Sequence, residues 1–140
     1  MSEIGALIEA ALPGAVVDEI EHRGELTIEI EPGKLREVAA YVKAPPLAFA
    51  LLSGVTCADF PDEPGRFRVA YHVFSLETAG RLRLRAWAGA LDPELPSVAS
   101  VWATANWHER EVFDMFGVRF TDHPDLTRIL MPLDWDGHPL

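Results

Sequence analysis

The sequence holds a single cysteine, Cys57, in 140 residues. One thiol makes no internal disulfide and cannot hold an iron–sulfur cluster, so a disulfide scaffold and a self-contained cluster protein are both excluded. Cations are scarce as well: 12 Lys and Arg face 22 Asp and Glu, a formal net charge of −10. Nucleic acids and anionic lipid surfaces are read by clustered cations, so neither is an expected direct partner. No apolar run approaches the roughly 20 residues of a membrane helix, and no basic segment followed by an apolar one opens the chain. The expectation is a soluble, cytoplasmic chain that meets a membrane only through a partner. There is no glycine-rich phosphate loop, and Ser53–Gly54 lacks the flanking glycine of a nucleophile elbow.

What is present suits one globular domain. Hydrophobic residues make up 49% and charged residues 24%, far from a disordered composition. A chain of this length buries about 70% of its unfolded surface and needs no staple.

The periodicities alternate between helix and strand. "SEIGALIEAAL" sets Ile4, Leu7, Ile8 and Ala11 at helical spacing after a capping Ser2, and Pro13–Gly14 ends it. "AVVDEIEHRGELTIEIEP" predicts two strands around Arg23–Gly24. "KLREVAAYVKA" returns to helical spacing until Pro45–Pro46. Three strands follow. "FALLSGVTCADF" is continuously apolar and is expected centrally in the sheet, with Cys57 as a buried small hydrophobe. "RFRVAYHVFSL" and "RLRLRAWAG" alternate apolar with polar residues across short, turn-rich loops, which predicts an antiparallel meander. The order predicts an α+β two-layer sandwich: a mainly antiparallel sheet covered on one face by helices, then an irregular C-terminal tail.

The densest chemistry lies in "WHEREVFDMFGVRF", residues 107–120. Asn106 with Glu109 reads as a capping box, Gly117 as the stop, and the span between them as a helix over Trp107–Phe116. Val112, Phe113 and Phe116 form its core stripe, and Arg110 and Asp114, four apart, are placed to pair on a charged face. "HERE" begins like the zinc-protease helix, but Val112 stands where the second histidine would be. Glu111 and Asp114 could serve as an acid–base pair, with His123 beside them in a free-standing hydrolase. Arg110 would keep both carboxylates ionised, which suits a structural network better. The tail, with Pro124, Pro132 and Pro139, cannot form one long helix, yet carries Leu126, Ile129, Leu130, Met131 and Trp135. Those groups need burial on the domain itself or on a partner. His123 and His138, each before a proline, read as structural or interfacial.

Taken together, "SVWATANWH" and "EREVFDMFGVRFTDHPDLTRILMPLDWDGHPL" closely resemble the 30 kDa subunit family of respiratory complex I, the proton-pumping NADH:quinone oxidoreductase. Glu109, Arg110, Glu111, Asp114, Met115, Phe116, His123, Arg128, Ile129 and Leu130 occupy the family's signature places, and Gly117, Pro124, Trp135, His138 and Pro139 extend the match. "PGKLREVAAYVK", "LLSGVTCADFP" and "YHVFSL" look like the family too, so the resemblance spans essentially the whole chain. Thr127 departs from it, since a basic residue often stands there, and members usually continue beyond "GHPL".

The resemblance implies an α+β domain over residues 1–120 and an irregular interface segment over 121–140. It implies no catalytic residue and no cofactor or metal bound by this chain, while the complex as a whole carries FMN, Fe–S clusters and quinone. The implied partners are the large quinone-site subunit and the cluster-bearing subunits of the peripheral arm, on the cytoplasmic side of the cell membrane. The signature residues would then be contacts between subunits. Homologous subunits serve energy-converting hydrogenases and ferredoxin- or F420-linked complexes, and the chain alone does not separate those machines.

Overall fold

In the computed structural model, which describes residues 1–128 and 137–139, Ser2 caps the first helix, α1 (Glu3–Ala11). Its hydroxyl accepts from the Gly5 amide at 2.9 Å and donates to the Glu19 carboxylate, tying the helix start to the neighbouring strand. Strands β1 (Val16–His22) and β2 (Glu25–Ile30) form a hairpin whose turn residues, Arg23 and Gly24, both have positive φ. That pair of left-handed residues matches the right-handed twist of the flanking strands. A single 3₁₀ turn at Pro32–Lys34 leads into α2 (Leu35–Lys43), which buries Leu35, Val38, Ala39 and Val42.

The meander follows as β3 (Leu51–Asp59), β4 (Phe67–Phe74) and β5 (Arg81–Trp87). Five strands make one sheet in the order β1-β2-β5-β4-β3, antiparallel except where β2 and β5 run parallel. The alternation read from β4 and β5 is realised: Phe67, Val69, Tyr71 and Val73 with Leu82, Leu84 and Ala86 line the helix-covered face. The α+β class and the one-sided cover by helices hold.

The strand order corrects one expectation. β3 lies at the edge of the sheet, not at its centre. Its apparent continuity comes from small residues (Ser53, Gly54, Cys57, Ala58), and one face leaves Leu51 44% exposed. The central place belongs to β5, whose arginines alternate with leucines. Long arginine stems lie along a sheet while their charged heads reach water, so "RLRLR" is compatible with a strand flanked on both sides.

Two short strands were not legible in the sequence: β6 (Glu94–Pro96) and β7 (Arg119–Thr121) pair in parallel. They bury Leu95 and Phe120 and bring Ser97 beside Thr121, whose carbonyl accepts from the Ser97 amide at 2.9 Å. Between them runs α3 (Ala105–Phe116), packed on β3. No helix among the described residues is long and apolar enough to cross a membrane.

Candidate interface around the third helix

The start of α3 differs from the capping box read in the sequence. Thr104 occupies the N-cap without a side-chain cap bond, and its hydroxyl donates instead to the Leu52 carbonyl at 3.1 Å. Asn106 lies inside the helix, which frees Glu109 from capping. Glu109 is fully buried, accepting from the Ser97 hydroxyl at 2.6 Å and the Val98 amide at 2.8 Å. Burial pushes its pKa up to about 7, although those two donors and the nearby Arg36 pull the other way. The end of the helix is as expected: Gly117 sits at φ +81°, its amide bonded to the Phe113 carbonyl.

The expected Arg110–Asp114 pair does not form. Asp114 is fully buried, and its Oδ1 lies 3.2 Å from Nε of Arg128, itself 10% exposed. Arg110 turns outward to Thr127, donating to its carbonyl at 3.2 Å and its hydroxyl at 3.0 Å, and lies over the Trp107 ring. The pairing along the helix loses this competition because a buried carboxylate gains more from a partner beside it in the dry interior than from one in water. The solvated charged face of the sequence reading is thus reduced: Glu111 is exposed, but Glu109 and Asp114 face inward.

The segment after β7 is fastened to the helix by His123. Its side chain is sealed from solvent; Nδ1 accepts from the Asp125 amide at 2.9 Å and Nε2 lies 3.0 Å from the Asn106 carbonyl. An acceptor on Nδ1 places the single proton on Nε2, which donates to Asn106. The His138 ring packs edge-on against Phe113, with Nδ1 2.9 Å from the Asp114 carbonyl. Phe116 meets Phe67 edge-on, Met115 is half-buried, and Pro124 and Pro139 are exposed. Ile129, Leu130, Met131 and Trp135 lie outside the described residues.

Three participants escaped the sequence reading. Ser97 supplies a bond to Glu109. Arg36, on α2, donates to the carbonyls of Ser97 at 2.8 Å and Thr121 at 3.0 Å, clamping the ends of β6 and β7. Tyr71 on β4 is fully buried, and the hydroxyl has no hydrogen-bond partner among the described residues; burial and the Glu109 charge push its pKa up. These residues come from positions tens of residues apart in sequence, so no local spacing could have grouped them.

Glu111 and Asp114 occupy unlike surroundings, one in water and one sealed against Arg128, so they do not act as a shared acid–base pair. No cluster of three or more His, Cys, Asp or Glu among the described residues could hold a metal ion. The arrangement instead anchors an irregular segment to a helix with buried polar bonds.

In sequence and in fold the chain is similar to known proteins. The family model described as "Respiratory-chain NADH dehydrogenase, 30 Kd subunit" matches residues 28–140. An NADH-quinone oxidoreductase subunit of this type from Roseiflexus sp. strain RS-1 is 42% identical over 134 residues, covering 95% of this chain and 77% of that one. The corresponding NADH-quinone oxidoreductase subunit of Xanthobacter autotrophicus is 40% identical over 141 residues, covering 100% of this chain and 67% of its own length. Among solved structures, the trypsin-resistant fragment (1–134) of Nqo5 superposes with a TM-score of 0.75 at 31% identity, covering 89% of this chain and 100% of the fragment. A chain of the membrane-bound sulfane sulfur reductase, an archaeal respiratory membrane complex, superposes with a TM-score of 0.73 at 25% identity, covering 96% of this chain and 75% of that one.

Proposed function

The chain belongs to the 30 kDa subunit family of the respiratory-chain NADH dehydrogenase, and from that premise we propose that it is a non-catalytic scaffold in the peripheral arm of a proton-pumping NADH:quinone oxidoreductase. Its contact surface is α3 from Glu109 onward with the segment from residue 121 onward. Its neighbours are the large quinone-site subunit and the cluster-bearing subunits of that arm. FMN, Fe–S clusters and quinone, which carry the electrons from NADH, belong to the rest of the complex. The chain sits peripherally on the cytoplasmic side of the membrane, held there by the complex.

One observation carries this reading. Two carboxylates, Glu109 and Asp114, are withdrawn completely from solvent and engaged in fixing the backbone around residues 97–98 and 121–128. A buried ion pair with hydrogen bonds fixes geometry more than it adds stability. That suits a segment that must present one shape to a neighbour. It does not suit a reactive site, where a group has to be left free for substrate.

The resemblance to the archaeal respiratory membrane complex favours a second reading of the same scaffold role, in a related hydrogenase-like or ferredoxin- or F420-linked complex. Genes beside this one decide between them: flavin-binding NADH-input subunits for the first, hydrogenase or ferredoxin-linked subunits for the second.

Arg110→Ala tests the interface. Among the described residues Arg110 meets only the exposed Thr127 and the exposed Trp107 ring, so the variant domain should keep its stability to within about 1 kcal/mol. Membranes carrying it should hold less assembled complex on native gels and show correspondingly less NADH:quinone reductase activity. Full assembly and full activity in both Arg110→Ala and Asp114→Ala would sink the proposal.

A further inference from the structure

Among the described residues, the sheet face away from the helices is closed at one end only. There Phe60 packs edge-on against Trp87 and Arg68 lies over both rings, so the loop between β3 and β4 folds onto the sheet. At the opposite end, among the described residues, nothing covers a cleft of about 560 Å³ lined by Leu51, Ser53, His72, Phe74, Arg81 and Arg83, with Glu25 at its rim.

The arginines of β5 change character along the strand toward this cleft. Arg85 is paired with Glu29 at 3.2 Å, both side chains 14% exposed. Among the described residues Arg83 has only long contacts: 3.4 Å to His72 Nδ1, 3.4 Å to the Thr27 hydroxyl and 3.6 Å to Glu25. Arg81 is exposed, and its side chain makes no hydrogen bond or ion pair among the described residues. Arg81 lines the cleft beside Phe74, its partner on β4, and Phe74 pairs in turn with Leu51 on β3, which gives the cleft an apolar shelf. A chain of net charge −10 thus presents, among its described residues, a cation without a polar partner next to exposed apolar surface.

We infer that this cleft is a second docking site, which takes an acidic segment of another protein of the complex: an Asp or Glu carboxylate on Arg81, with a neighbouring apolar side chain on Leu51 and Phe74. The inference rests on the reading of the chain as part of a multisubunit complex, and places a contact on the face opposite α3. Charge complementarity selects the occupant. A planar guanidinium with free donors matches a carboxylate in two bonds. A small multivalent anion is disfavoured, because Glu25 stands at the rim and the field of a −10 chain repels free anions from solution. An acid tethered to a neighbour already held by other contacts is delivered to the cleft at high effective concentration.

The experiment uses the assembled complex in its own membranes. A photo-reactive phenylalanine derivative replaces the exposed Ser53, and the cross-linked product is identified by mass spectrometry. The expected product joins this chain to a segment of one other protein of the complex that contains Asp or Glu beside an apolar residue. Arg81→Glu should then lower retention of the chain in the complex by at least about tenfold at low salt, and reversing the cross-linked acid to Arg should restore it. Arg81→Gln should give a smaller loss, since it removes the charge without reversing it. Cross-links only to lipid, only to a second copy of this chain, or to nothing overturn the inference, as does unchanged retention of Arg81→Glu. Arg110→Ala separates the two surfaces: if it lowers assembly while Arg81→Glu does not, only the second site falls; if neither does, the scaffold reading falls with it.

Discussion

Glu109 Oε1 and His123 Nε2 lie 3.8 Å apart with both side chains sealed from solvent, yet the hydrogen bonds of each go elsewhere. The Asp125 amide donates to Nδ1, and Nε2 faces the Asn106 carbonyl. The nearby Arg36 offsets the burial of the Glu109 carboxylate only in small part. The carboxylate's main compensation is two hydrogen bonds, from Ser97 and Val98, and they do not fully offset desolvation.

This gives the domain an inverted pH response in one window. Glu109 titrates near 4.5 when unfolded and at about 7 when folded, so the folded state binds more protons between those values. Its contribution to stability is complete below the unfolded value and is lost as pH rises through about 7. Stability to urea, measured from pH 5 to pH 8, should fall with rising pH, by a few kcal/mol at most. Glu109→Gln keeps the shape and an acceptor for Val98, and should flatten that fall. An unchanged pH slope in the Gln variant would show that another group is responsible.

The Asp114–Arg128 pair predicts a strong asymmetry between single and double substitutions. Removing either partner breaks an ion pair held in a nearly dry site, at a cost of about 3–5 kcal/mol. Asp114→Ala and Arg128→Ala should each lose that much in chemical denaturation. The double variant should lose clearly less than the sum, because both single changes remove the same ion pair. Additive losses would mean that the two side chains act separately.

Much of the scaffold was legible because it rests on local rules. Ser2 and Gly117 act at helix ends, Arg23–Gly24 at a two-residue turn, and the β4 and β5 alternation at a buried face; each is decided by a few neighbouring residues. The misjudged features depend on distant ones. β3 reads as central because its small residues conceal which side is bare, and strand order is set by pairings across the fold. Glu109 reads as a cap because Asn106 stands three residues before it; its true donors, Ser97 and Val98, arrive only once β6 and β7 pair. Asp114 reads as a partner of Arg110 because helical spacing permits it, and burial beside Arg128 overrides that spacing.

Gly117 is required for two separate reasons, and substitutions can resolve them. At φ +81° any side chain is strained, and a Cβ there would come within 2.8 Å of the His138 ring. Gly117→Ala should cost about 1–3 kcal/mol in thermal unfolding. Gly117→Asn relieves only the backbone part, since Asn tolerates the left-handed region, and the ring still collides. Adding His138→Ala to Gly117→Asn should therefore recover stability that neither change recovers alone. No recovery would locate the whole cost in the backbone.

Cys57 tests whether a lone thiol on an edge strand is accessible chemistry or packing. It packs partly buried against the core, and burial with the Asp59 charge pushes its pKa up to about 12. The thiolate is the species that reacts, so at pH 8 the folded thiol should alkylate roughly a thousandfold more slowly than an unperturbed cysteine, whose pKa is about 8.5. Denaturation in urea should restore the ordinary rate, because both desolvation and the fixed Asp59 charge disappear with the fold. Mass-spectrometric counting of carbamidomethyl groups against time, native and unfolded, gives the ratio directly. Comparable rates in the two states would place Cys57 in open contact with solvent and leave β3 with a reactive edge.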